Sequence, residues 1–125
     1  MTKKRILIVD DEPDIVKMLE LRLQVMGYET LVARDGQEGL ELAKKEMPDL
    51  MILDIMMPKL DGFKVCGLLK ADTRFKNIPI VMFTARGQEM DRDISKDIGA
   101  DAYLNKPLNA TELKDTIGKF LGEGL

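Results

Sequence analysis

The sequence contains no histidine, no tryptophan and only one cysteine, Cys66. Without histidine, the chain can form neither a histidine-based catalytic triad, nor a histidine metal site, nor a phosphohistidine of its own. A single cysteine allows no internal disulfide and no site made of several thiolates, so Cys66 is interpreted as a small core residue. Any chemistry must therefore use carboxylates, hydroxyls and lysines.

Long apolar runs and basic runs are also missing. No stretch is long enough to span a bilayer, and the polar residues 2–5 lead directly into a strand-like run rather than into a signal-peptide core. The net charge of −3 gives no general attraction to nucleic-acid phosphates. We therefore expect a cytoplasmic protein that binds neither a membrane nor nucleic acid directly.

What is present fits one folded domain covering residues 1–125, with 45% hydrophobic and 33% charged residues. Short β-type runs alternate with longer stretches of helical period, which is the pattern of a parallel α/β sheet. The predicted strands are Arg5–Val9, Glu29–Ala33, Leu50–Leu53, Ile80–Phe83 and Asp101–Leu104. The five predicted helices run from Pro13 to Gly27, from Gln37 to Met47, from Asp61-Gly62 onwards, from Gln88 to Ile98, and from Asn109 onwards.

Each predicted helix carries an apolar stripe that should pack against the sheet. These stripes are Ile15, Leu19, Leu23 and Met26; then Leu40, Ala43 and Met47; then Phe63, Val65, Leu68 and Leu69; then Met90, Ile94 and Ile98; and finally Leu113, Ile117 and Leu121. Burial against the sheet explains these stripes more simply than partner binding does.

Polar residues follow four of the predicted strands: Asp10 and Asp11, then Asp54, then Thr84, then Lys106. In an open parallel sheet these strand ends form one edge, where ligands bind. Carboxylates that converge there resist ionisation unless a cation compensates them, and oxygen-only ligands select a hard ion such as Mg²⁺. With Asp54 as nucleophile and Thr84 and Lys106 contacting phosphoryl oxygens, the set predicts acceptance of a phosphoryl group. Taken singly, each residue could be a helix-terminal acid, a turn residue or a surface cation.

Five segments in a fixed order carry a family resemblance. They are ILIVDDE at 6–12, PDLMILDIMMP at 48–58, DG at 61–62, PIVMFTA at 79–85 and GADAYLNKP at 99–107. Together they resemble the receiver domain of response regulators in two-component phosphorelays, of the single-domain chemotaxis or sporulation type.

The resemblance implies a doubly wound, flavodoxin-like α/β fold, with a five-stranded parallel sheet of order 2-1-3-4-5 and helices on both faces. It also implies that Asp54 is the phosphoacceptor. Mg²⁺ would be held by Asp54, by Asp11 directly, by Asp10 through water and by the backbone carbonyl of Met56. By the same resemblance, Thr84 and Lys106 contact the phosphoryl group and the Lys106–Pro107 bond is cis.

The implied function is that of a signalling switch rather than a turnover enzyme. A histidine kinase or histidine phosphotransfer protein would donate its phosphoryl group to Asp54, and the chain would catalyse its own Mg²⁺-dependent phosphorylation and dephosphorylation. Thr84 would then move and Tyr103 turn inward, which changes the face of the fourth helix, fifth strand and fifth helix. This face would control binding of a downstream target protein or of a fused output domain. The donor is expected to contact Asp14, Ile15, Met18 and Leu108.

Met56 and Arg86 stand where the family varies and where the lifetime of the phosphoryl group is influenced. A thioether at Met56 cannot orient an attacking water as a carboxamide would, so we expect a moderately long-lived phosphoryl state. Replacing Met56 by Asn should therefore change the measured dephosphorylation rate. Ala102 and the Lys114–Lys119 segment depart from receivers that drive winged-helix domains, which favours a stand-alone shuttle or an adaptor.

Three alternatives fit the sequence less well. A haloacid-dehalogenase-type phosphohydrolase needs a second Asp two residues after the nucleophile, where Met56 stands. An FMN protein with the same sheet needs a hydroxyl- and glycine-rich loop after the first strand, where the acids from Asp10 to Glu12 would repel the phosphate. A degenerate scaffold receiver is disfavoured because every expected polar residue is present.

Overall fold

A computed structural model describes residues 3–57, 59–85 and 98–122. In this part of the chain, five strands alternate with four helices. In chain order they are β1 (Arg5–Val9), α1 (Pro13–Val25), β2 (Glu29–Ala33), α2 (Gly36–Glu46), β3 (Leu50–Asp54), α3 (Gly62–Lys70), β4 (Ile80–Ala85), β5 (Ala102–Lys106) and α4 (Ala110–Leu121). The helix predicted from Gln88 lies, except for its last residue, outside the described residues, so α4 is the fifth predicted helix.

The strands form one parallel sheet in the order β2-β1-β3-β4-β5, which confirms the predicted fold class. Helices α2 and α3 pack on one face, which we call face A, through Leu40, Ala43, Val65, Cys66 and Leu69. Helices α1 and α4 pack on the other, face B, through Val16, Leu19, Leu23, Leu113 and Ile117. Cys66 is 1% exposed, as predicted for a core residue.

Three strands end later than predicted. The β3 strand includes Asp54, β4 includes Thr84, and β5 runs to Lys106 instead of ending at Leu104. Backbone pairing continues through Asp54 opposite Phe83 and Lys106 opposite Ala85. The prediction ended the strands too early because ladder hydrogen bonds use backbone groups and do not depend on the polarity of the side chain.

The apolar stripes are only partly right. Ile15, Met26 and Leu121 are half-buried, and Val16 is buried in α1 where it was not predicted. Leu68 is 51% exposed, because Cys66 and Leu69 supply the buried side of α3. Met47 is 54% exposed, because it adopts the left-handed conformation that ends α2 (φ 45°) and so leaves the helical face.

Within the described residues, no helix combines the length and the apolar character needed to cross a bilayer.

Candidate functional site

Asp54 lies at the carboxyl end of the central strand β3, with 4% of its surface exposed. The chain turns sharply behind it, where the backbone N–H of Gly62 donates to the carbonyl of Ile55 at 2.9 Å. A Cβ at position 62 would clash with the carbonyl oxygen of Asp54, so only glycine permits this close approach. Asp61 then starts α3 by accepting a hydrogen bond from the Lys64 N–H at 3.0 Å. This turn therefore packs Gly62 against the backbone at the end of β3.

Lys106, the last residue of β5, places its ammonium group among three carboxylates. The distance from Lys106 Nζ is 2.9 Å to Glu12 Oε1, 3.1 Å to Asp10 Oδ2 and 3.6 Å to Asp54 Oδ2. Its Nζ also lies 5.4 Å from the centre of the Phe83 ring, within range of a cation–π contact. The following Lys106–Pro107 bond is cis. Residues 10, 54 and 106, predicted from three separate strand ends, therefore meet at one point.

The alternation of side chains along β4 and β5 divides the candidate residues between the two faces of the sheet. Met82 and Thr84 share face A with Tyr103, which is paired with Met82 and packs against that core. Phe83 and Lys106 belong to face B. Thr84 and Tyr103 are therefore diagonal neighbours on one face, while Lys106 projects from the other. Thr84 and Lys106 nevertheless both lie near the carboxyl edge of the sheet, at the ends of β4 and β5.

Burial controls the electrostatics of the two aspartates. Burial first, and then the negative charge of Asp10, raise the pKa of Asp54 from 3.8 to about 6, although Lys106 acts in the opposite direction. Burial also raises the pKa of Asp10, against the effects of the Glu12 N–H and of Lys106. Burial alone would lower the pKa of Lys106, but Glu12, Asp54 and Asp10 together raise it. The site thus holds more negative charge than its single lysine compensates.

This arrangement fits a divalent cation. Carboxylate oxygens of Asp10, Glu12 and Asp54 lie within 4.8 Å of one another. Asp10 Oδ2 is buried, and among the described residues its only polar contact is the ion pair with Lys106 at 3.1 Å. An under-satisfied, buried carboxylate oxygen beside two others is suited to a hard metal with oxygen ligands. These residues could hold Mg²⁺.

Two predicted metal residues lie beside this group rather than in it. The Asp11 side chain is exposed and lines a cleft with Met56, Met57 and Phe63, although its charge still raises the pKa of Asp54. The Met56 N–H donates to Asp54 Oδ1 at 3.4 Å, and its side chain is exposed. Glu12 takes part in the group but was not predicted. Its position directly after Asp10-Asp11 was the available signal.

The residues predicted to contact a donor lie at one end of α1 and after β5. Asp14 and Met18 line a groove between α1 and α4. Ile15 and Leu108 are half-buried against face B. Arg86 lies outside the described residues. The four expected contact residues thus remain a prediction, with two of them accessible from one groove.

Comparison with known proteins gives concordant matches. Residues 6–118 match the family model described as "Response regulator receiver domain". The protein named "Probable transcriptional regulator ycf27" of Guillardia theta is 49% identical over 116 residues, which are 93% of this chain and 44% of that protein. The chain spans about half the length of the curated relatives it matches.

Solved structures with the same fold include the chemotaxis response regulator CheY4 of Vibrio cholerae, with a TM-score of 0.88, 34% identity, and coverage of 96% of this chain and 100% of that one. A second is the receiver domain of the sensor histidine kinase PA1611 of Pseudomonas aeruginosa. It has a TM-score of 0.89, 27% identity, and coverage of 97% and 99%. That structure is described as having a magnesium ion coordinated in its active-site cleft.

Proposed function

Because the chain belongs to the response regulator receiver domain family, we propose that it accepts a phosphoryl group on Asp54 in a Mg²⁺-dependent reaction and acts as a signalling switch. The observation that carries this proposal is the position of Lys106 Nζ, 3.6 Å from Asp54 Oδ2 and 3.1 Å from the buried Asp10. Phosphoryl transfer requires a protein to place a nucleophilic carboxylate beside a fixed positive charge and beside a group of acids that can hold a metal. Asp54, Lys106 and the acidic group meet this requirement.

Of the acidic group, Asp10 and Asp54 would hold Mg²⁺ together with Asp11 and the Met56 carbonyl, which lie beside the group, while Glu12 stays paired with Lys106. The bound ion would supply charge neutralisation and orient a phosphoryl oxygen. An oxygen of the Asp54 carboxylate attacks phosphorus, and the bond from phosphorus to the imidazole nitrogen of the donor breaks. The electron pair of that bond stays on the imidazole nitrogen, and a proton from solvent makes the departing ring a neutral imidazole. Lys106 compensates the charge on the transferred group, and the Thr84 hydroxyl donates to one of its oxygens.

The donor is a phosphohistidine on a histidine kinase or a histidine phosphotransfer protein, since this chain has no histidine of its own. The faces exposed near the site, including Asp14 and Met18 on α1, provide its contact region. The response uses Thr84 and Tyr103, whose shared position on face A lets a shift of the hydroxyl reach the aromatic ring. The altered surface then controls a downstream target protein or a fused output domain.

The direct test is incubation with acetyl phosphate and Mg²⁺, followed by intact mass measurement and heteronuclear NMR. Wild type should gain the mass of one phosphoryl group, and amide shifts should centre on Thr84 and Tyr103. The Asp54→Asn variant should gain no mass under the same conditions. The proposal fails if wild type gains no phosphoryl group, or if Asp54→Asn gains it equally.

A further inference from the structure

The methionines of the described residues differ widely in their access to solvent. Met56 is 65% exposed and Met47 is 54% exposed, whereas Met51 and Met82 are fully buried. The remaining described methionines, Met18, Met26 and Met57, are half-buried. Peroxides oxidise accessible thioethers in preference to buried ones, so Met56 and Met47 are the two most accessible targets in the described part of the chain.

Of these two, Met56 alone adjoins the proposed phosphoacceptor. Its backbone N–H donates to Asp54 Oδ1 at 3.4 Å, which ties the residue directly to the nucleophile. Its side chain lines the cleft that also contains Asp11, the residue directly after Asp10. Because Asp54 is only 4% exposed, water that attacks phosphorus on Asp54 must approach through the small part of the site that is open to solvent.

We infer that Met56 is a redox-sensitive modification site whose oxidation shortens the lifetime of the phosphoryl group, an inference that rests on the proposed function. A hydroperoxide transfers one oxygen atom to the Met56 sulfur. The thioether loses two electrons to become a sulfoxide, and the peroxide is reduced to water or to an alcohol.

The modification replaces a poor hydrogen-bond acceptor by a strong one. A thioether sulfur accepts only weakly, so Met56 offers little to hold a water beside the phosphoryl group. A sulfoxide oxygen accepts well and can orient that water toward phosphorus. The water oxygen then bonds to phosphorus and the bond between phosphorus and Asp54 breaks. Aspartate carboxylate, inorganic phosphate and a proton are the products.

The experiment compares phosphoryl decay before and after oxidation of the whole chain. Wild type is treated with hydrogen peroxide until peptide mass spectrometry shows Met56 as sulfoxide and Met51 and Met82 unmodified. Both samples are phosphorylated with acetyl phosphate and Mg²⁺, desalted, and followed by intact mass. Decay in the oxidised sample should be faster by roughly three- to tenfold. Treatment with methionine sulfoxide reductases and a dithiol should restore the original rate.

Three variants assign the effect to a position, each compared with itself before and after peroxide. Met56→Leu keeps an apolar side chain but cannot be oxidised, so its two decay rates should be equal. Met47→Leu and Met57→Leu should show the same acceleration as wild type. Acceleration of equal size in Met56→Leu would overturn the inference, as would unchanged decay in wild type that carries the Met56 sulfoxide.

The same measurements distinguish failure of the proposed function from failure of the inference about Met56. If unoxidised wild type never gains a phosphoryl group, the proposed function fails and the inference fails with it. If wild type is phosphorylated and decays at one rate in both redox states, only the inference is lost. Backbone NMR spectra of the oxidised sample show whether the fold is retained, which separates a local effect at Met56 from general unfolding.

Discussion

Asp10 and Asp54 are buried carboxylates that share one lysine. Both hold their protons more tightly in the folded chain than they would in the unfolded chain, where water surrounds them. The pKa of Asp54 is raised to about 6, and the pKa of Asp10 is raised as well. Ionising both groups therefore costs folding free energy near neutral pH. The ionised carboxylates that a metal site needs are therefore the forms that lower the free energy of unfolding.

We expect Asp54→Asn to stabilise the chain near neutral pH when divalent cations are absent. Between the ordinary value of 3.8 and about 6, the folded chain binds more protons at Asp54 than the unfolded chain does. The free energy of unfolding therefore falls as pH rises through this window, and Asn removes that loss. Urea denaturation with EDTA should show a gain of roughly 1–3 kcal/mol at about pH 7.5, shrinking towards about pH 4. A variant no more stable than wild type at the higher pH would contradict this.

Lys106→Met should destabilise the same metal-free protein, because it leaves Asp10 and Asp54 without their cation. Removing one partner of a buried pair costs on the order of 3 kcal/mol, less where the carboxylates can protonate, so the loss should be smaller near pH 5 than near pH 8. Glu12→Gln is the matched control, because Glu12 is 59% exposed and its ion pair is worth less than about 1 kcal/mol. If Lys106→Met and Glu12→Gln lost the same unfolding free energy, burial would not determine how much these ion pairs contribute to stability.

The rule that ligands bind at the carboxyl ends of parallel strands was sufficient to predict that Asp10, Asp54 and Lys106 lie together, because it depends only on which residues end those strands. It could not predict the partners of Lys106. Glu12 reaches Nζ at 2.9 Å because a flexible side chain points back over the site, whereas Asp11 points into the neighbouring cleft. In an irregular turn, tertiary packing sets the direction of each side chain. These directions do not repeat at a regular interval as they do in a helix or a strand, so the sequence does not reveal them.

At the scale of elements, Lys70 joins several parts of the fold at the end of α3. Its Nζ donates to the carbonyls of Lys76 and Ile78, each at 2.9 Å, and to Asp101 Oδ2 at 2.7 Å. The same Asp101 oxygen accepts from the Ile80 N–H at 2.8 Å. One ammonium group therefore connects α3, the loop after it, the start of β4 and the residue before β5. The sequence predicted each element but not this connection, because contacts between distant polar residues leave no local pattern.

Lys70→Met should cost about 2 kcal/mol of unfolding free energy, because it leaves two carbonyls and a carboxylate without their donor. Lys64→Met on the same helix removes an exposed lysine and should stay within about 0.5 kcal/mol of wild type. Urea denaturation of both variants and wild type at one pH provides the measurement. If Lys70→Met and Lys64→Met lost the same unfolding free energy, the hydrogen bonds of Lys70 would not contribute to stability.

At the scale of the whole molecule, the site unites elements that are far apart in sequence. Asp10 follows β1, Asp54 ends β3, and Lys106 ends β5 after an interval of more than fifty residues. A ligand that bridges these strand ends binds only the folded chain. Binding of this kind stabilises folding in proportion to the logarithm of ligand concentration over dissociation constant. Metal affinity can therefore be measured from the stability of the protein alone.

Mg²⁺ should raise the thermal midpoint of wild type in a saturable manner, and EDTA should reverse the increase. A concentration one hundred times the dissociation constant corresponds to about 2.7 kcal/mol. The increase should be much smaller in Asp10→Asn and in Asp54→Asn, which lack one carboxylate of the group. Lys45→Met, which alters an exposed lysine on α2, should respond like wild type. An equal response in all four proteins would place the metal elsewhere.

The division of β4 and β5 into two faces has a consequence for how such a chain can diverge. Phe83, with Lys106 over its ring, packs with α1 and α4, whereas Tyr103 packs with the core formed by α2 and α3. Substitutions in α2 or α3 should therefore alter the packing of Tyr103 without disturbing Phe83 and Lys106, and substitutions in α1 or α4 should do the reverse. The surroundings of the tyrosine and the position of the lysine can thus change independently within one small sheet.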